Sequence, residues 1–117
     1  MIEEFAARAF AIRDIAHRQH WRPAPLSQHE TLGAFYEKVI PAIDTIVECH
    51  IAEFGPIGDF QVETSPVSNI TAWIQAEKDW IQDNQDTISG GNRSISNLID
   101  SLVAIYQQTL FKLKFIS

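Results

Sequence analysis

The stretch SQHETLGAFYEKVIPAIDTIVECHIAEFG, residues 27–55, decides the fold. Leu32, Phe35, Tyr36, Val39, Ile43, Ile46, Val47 and Phe54 recur in it at helical spacing. It therefore reads as one amphipathic helix of about 27 residues, about 40 Å long. Ser27, with Glu30 three residues on, has the form of a capping box. Gly55-Pro56 stops the helix. Pro41 falls in the middle, which predicts a kink and leaves the carbonyl of Glu37 without its usual donor.

Three further helices flank this one. The first spans about Ile2 to His20, with Phe5, Ala6, Ala9, Phe10, Ile12 and Ala16 along one stripe, and ends at Arg22-Pro23-Ala24-Pro25. A third is expected from about Pro66 to Ile88, capped by Ser65, with Pro66 at its first position. Ile70, Trp73, Ile74, Trp80 and Ile81 give its apolar face, and Gly90-Gly91 ends it. The fourth starts near Asn92 to Ser94 and runs almost to the C-terminus on the strongest helical pattern of the chain, from Ile95 to Leu113.

The links between these helices are unequal. Helices one and two, and helices three and four, have short links and should form antiparallel hairpins. Between the hairpins, residues 55–65 can extend over about 35–40 Å, nearly the length of the second helix. The expected architecture is an all-α, ferritin-like four-helix bundle, two antiparallel hairpins joined by a long crossover, filling residues 1–117 as a single domain.

Bulk properties narrow the function classes. The chain is 45% hydrophobic and 21% charged, a globular balance. No apolar run approaches the ~20 residues of a membrane span. The start, Met1-Ile2-Glu3-Glu4, is acidic where a secretory signal is basic. The lone Cys49 has no disulfide partner and sits among apolar residues. These features point to the cytoplasm. A net charge of −6 argues against nucleic-acid binding, which rests on Lys and Arg neutralising phosphates. There is no nucleophile elbow, no paired-Cys zinc pattern and no nucleotide fingerprint.

What remains is a ladder of histidines and carboxylates: His20-Trp21, His29, Asp44 and Glu48. Imidazole nitrogens and carboxylate oxygens form a ligand set that iron, manganese and zinc all accept. Asp44 and Glu48 stand one turn apart, so both reach one point. At about 100° per residue they lie to the side of the apolar stripe, with Gly33, Glu37 and Ile51. They therefore point out of their own bundle, and a site built on them needs a second subunit to supply His20 and His29. No Glu-x-x-His pair, the inward-facing ferritin arrangement, occurs in the chain.

The run His20-Trp21, His29-Glu30-x-Leu32, Phe35-Tyr36 and Asp44-x-x-x-Glu48 resembles the Dps family, ferritin-like proteins of starved bacteria. It is also similar to short helical proteins of tailed phages. The Dps resemblance covers about residues 17–55. It implies a homo-oligomer with an intersubunit ferroxidase centre, histidines from one subunit and carboxylates from the other. It also implies that Trp21 quenches stray oxidising equivalents. The chain departs from the family at several points, being shorter than typical members and having a crossover with no convincing short helix. Gly33 stands where an additional Asp is usual, with Glu30 or Glu37 as a substitute. The segment from His20 to His29 is short and proline-rich. There is no Lys-rich, DNA-binding tail. The alternative from another class is a non-catalytic interaction or small-ligand-binding protein that keeps the bundle and not the metal.

Other features have plainer readings. His17, one turn from His20, is a helix-end polar residue or an added metal ligand. Trp73 and Trp80 are core or interface anchors. Glu77, Asp79, Asp83 and Asp86 form a solvated acidic face, and the ending Phe111 to Ile116 docks on a partner subunit or complements its helix end.

Overall fold

In the computed structural model, which describes residues 1–116, apolar stripes become four helices: α1 (Ile2–His20), α2 (Leu26–Phe54), α3 (Ile70–Ser89) and α4 (Arg93–Phe115). No strand occurs among the described residues. The molecule measures 43 × 26 × 21 Å, its long dimension set by α2. Among the described residues no helix is long and apolar enough to cross a membrane.

Phe5, Ile12, Leu32, Phe35, Ile43, Ile74, Ile99, Leu102 and Tyr106 are among the side chains buried at the centre. Each large apolar side chain so buried contributes about 1.5–3 kcal/mol. The ring of Tyr106 meets Phe35 edge-on, 5.1 Å between centroids. Burial pushes its hydroxyl pKa well above the ordinary value.

Contacts along the helices fix their directions. His17 and His20 of α1 touch Tyr36 of α2, so the first pair is antiparallel. Gln85 bonds Asp100 near one end of the second pair, and Lys114 bonds Gln75 near the other, so α3 and α4 are antiparallel as well. The connection through residues 55–69 carries no helix. It lies along α1: Gly58 donates its N–H to Glu3 Oε2 at 2.8 Å, Phe60 packs on Phe10 at 5.7 Å, and Arg18 Nη2 donates to the carbonyl of Thr64. The chain thus leaves α2 beside the start of α1 and enters α3 beside its end.

Two boundaries differ from expectation. Ser65-Pro66 does not open α3; residues 66–68 stay outside the helix, and Asn69 caps it through Oδ1 to the N–H of Ala72 at 3.0 Å. Ser27 is not a cap either. α2 begins at Leu26 with Pro25 before it, and no side-chain cap bond is made there. The carbonyl of Pro25 takes the N–H groups of Gln28 and His29 instead, at 3.0 and 3.2 Å. The α3–α4 turn uses Gly90 in the left-handed region, φ 59°, and a Cβ there would stand 2.7 Å from the Phe54 ring. Helix α2 continues through Pro41, whose carbonyl accepts from Thr45 Oγ1 at 3.1 Å.

Candidate metal centre

Two prolines end α1 and hold the chain in a short loop, so the first turn of α2 returns beside the last turn of α1. That places His20 and His29 face to face. Their rings stack with centroids 3.8 Å apart and planes 15° from parallel. His20 Nδ1 lies 2.6 Å from the carbonyl of His29, and His29 Nδ1 lies 2.8 Å from the carbonyl of His20. A carbonyl only accepts, so each Nδ1 carries the proton and donates it. In the neutral ring this leaves Nε2 with its lone pair, the form in which imidazole binds a metal. Neither Nε2 makes a hydrogen bond among the described residues.

Aromatic groups back this pair. His17 stacks flat on Tyr36, 3.9 Å between centroids, and lies 4.8 Å from Trp21. His17 is therefore a packing residue here. Trp21 is 70% exposed. Gly33 also acquires a reason. A Cβ at that position would lie 3.0 Å from Cε1 of His20. The imidazole occupies the space that a side chain would need, so an Asp at this point of α2 requires His20 to move.

Asp44 and Glu48 are both exposed, one turn apart. Neither forms an ion pair or a side-chain hydrogen bond among the described residues. Fifteen residues of helix separate His29 from Asp44, about 22 Å at 1.5 Å per residue. The structure thus brings His20 and His29 together and keeps Asp44 and Glu48 together, far from the histidines. Within one chain, no group of three or more His, Cys, Asp or Glu side chains that could hold a metal occurs among the described residues. Glu30 and Glu37 are exposed and belong to no such group.

One charged cluster departs from the sequence reading. Glu77 is not part of a solvated acidic face; it is only 6% exposed. Its Oε2 accepts from Arg8 Nη1 at 2.7 Å. Arg8 also donates from Nε to Glu4 at 3.2 Å, and its guanidinium lies over the Trp80 ring at 4.2 Å. Burial raises the Glu77 carboxyl above its ordinary value, and the Arg8 charge opposes that shift. The signal was present in the sequence. Ile70, Ile74, Glu77 and Ile81 follow one another at four-, three- and four-residue steps, which puts Glu77 on the buried stripe of α3.

Comparison with curated proteins and with solved structures gives no match. The family described as "Family of unknown function (DUF5856)" matches residues 20–113, and the chain belongs to it.

Proposed function

We propose that this DUF5856 member is a self-associating, ferritin-like bundle that binds ferrous iron between subunits in the manner of Dps proteins. His20 and His29 of one subunit would face Asp44 and Glu48 of the next. The observation that carries this reading is the paired Nδ1 donation of His20 and His29, which leaves two neighbouring Nε2 lone pairs uncommitted. The unpaired, outward Asp44 and Glu48 supply the matching oxygen donors. The path of residues 55–69 along α1 supports the ferritin-like topology. Imidazole and carboxylate ligands suit iron, manganese and zinc alike, and leave coordination positions for dioxygen or peroxide as oxidant when the bound ion is ferrous.

Self-association is supported by one end of the bundle. Trp21 follows α1, Leu26 opens α2 and Phe115 ends α4, and they are 70%, 69% and 75% exposed; Ile116 lines a groove with Ser27. Exposed apolar side chains at these helix ends suit a second copy of the chain.

Anaerobic titration with ferrous iron tests the proposal. Saturable binding that is lost in Asp44→Ala, followed by an absorbance rise when peroxide is added, is the expected result. No binding above buffer by a folded oligomer overturns it. A second reading, a bundle that serves only as an interaction module, is favoured by the same histidines: their reciprocal bonds clasp the α1–α2 hairpin without any metal. Under that reading Asp44→Ala is silent and iron leaves the melting temperature unchanged.

A further inference from the structure

The Arg8–Glu77 pair forms the floor of an open cleft between α1, α3 and the crossover, with a volume of about 340 Å³. That is the size range of small-ligand sites. Two alanines of α1 and the indole of Trp73, 39% exposed, supply its apolar wall. Gln61 and Glu63 of the crossover and Glu4 of α1 supply its polar rim.

The chemistry of this cleft is selective. Arg8 is already engaged by Glu77, by Glu4 and by the Trp80 ring, so it is not free to receive an anion. Three carboxylates face one guanidinium, a surplus of negative charge. Glu77, more than nine-tenths buried, uses Oε2 for Arg8, while its Oε1 accepts no hydrogen bond among the described residues. That oxygen is reached from the cleft and is not sealed in the core, so a cationic N–H donor entering the cleft can make a charge-assisted hydrogen bond to it. Trp73 stands one helical turn before Glu77 on the same face, where its ring can take a cation or an alkyl chain beside the carboxylate.

We propose that this cleft binds a small organic cation, a protonated alkylamine or alkylguanidinium. Its charged head would sit on Glu77 Oε1 and its apolar body on the indole of Trp73. The site lies on the α1–α3 face and shares no residue with the proposed iron ligands, so it does not depend on them.

Calorimetric titration of the full chain with agmatine, which carries both an amine and a guanidinium, tests this. Hexanoate, an anion of comparable length, is the control. Saturable agmatine binding at one per chain is expected, with hexanoate silent. Glu77→Gln keeps an acceptor for Arg8 and should weaken agmatine by about tenfold or more. Trp73→Ala, at a partly exposed position outside the buried core, should weaken it by a comparable factor. No saturable heat with agmatine, equal affinity in the native chain and in a folded Trp73→Ala variant, or hexanoate binding as tightly as agmatine would each overturn the proposal.

Discussion

Glu77 and Gly33 show how single positions are governed by what they touch. Because burial holds the Glu77 carboxyl above its ordinary value of 4.5, the folded chain binds that proton more tightly than the unfolded chain does. Its contribution to stability is therefore most favourable below about pH 4.5 and is lost as pH rises through the raised value. Arg8 opposes the shift, so Arg8→Met should raise the Glu77 pKa further. The expected loss at neutral pH is about 2 kcal/mol, less than for a fully buried pair because the Arg8 side chain is 37% exposed. Denaturant unfolding at pH 7 and pH 4 checks it, and the loss should shrink at the lower pH.

Gly33→Ala gives a second expectation at this scale. Replacing a helical glycine by alanine ordinarily stabilises by roughly 1 kcal/mol. Here the new Cβ meets a ring held by a stack and a hydrogen bond, so the change should be net destabilising. In a His20→Ala background it should become stabilising, and a double-mutant cycle reads the difference directly. Part of this was legible in the sequence. The short link after His20 predicts an antiparallel hairpin, which brings the end of α1 back beside the start of α2; the stacking of His20 on His29 does not follow from it. The departure at Gly33 was visible too, but its cause was not, because the space it leaves is filled by a side chain from another helix.

At the scale of elements, α1, the end of α2 and α4 follow from periodicity and from their glycine and proline stops. The starts of α2 and α3 do not. Ser65-Pro66 has the composition of a helix start, yet the chain must first finish its passage along α1, where Arg18 holds the carbonyl of Thr64; the helix waits for the next capping residue, Asn69. Local propensity was overridden by a tertiary contact. Likewise Ser27 and Glu30 match a capping box, but Pro25 already supplies the helix-compatible turn and its carbonyl takes the first N–H groups. The α3–α4 turn gives the expectation that belongs here. Gly90→Ala forces a side chain into the left-handed region and against Phe54, and should cost about 1–2 kcal/mol or more in thermal unfolding. Gly91, with open space around its Cβ position, should cost only the backbone strain.

At the scale of the whole molecule, the candidate ligands divide into two pairs about 22 Å apart along α2. The helical wheel sets Asp44 and Glu48 outward, and the structure leaves both exposed, with no ion pair among the described residues. Under the proposed function one chain offers two halves of a site, and the exposed side chains of Trp21 and Phe115 are the surface on which copies would meet. If iron binds only the assembled native form, it should stabilise the protein by about 2.7 kcal/mol at a hundred times its Kd. Trp21→Ser combined with Phe115→Ser should lower the mass measured by light scattering toward that of one chain.

The most direct test of the intersubunit centre is complementation. His29→Ala and Asp44→Ala variants are prepared separately, mixed under conditions that exchange subunits, and titrated anaerobically with ferrous iron. Each variant alone should bind none. In a two-fold dimer, random mixing pairs an intact histidine half with an intact carboxylate half at about a quarter of the sites, and binding should return to that extent. A mixture as inert as its components, in subunits shown to have exchanged, would contradict a centre shared between chains, as would either variant binding iron at the native stoichiometry on its own.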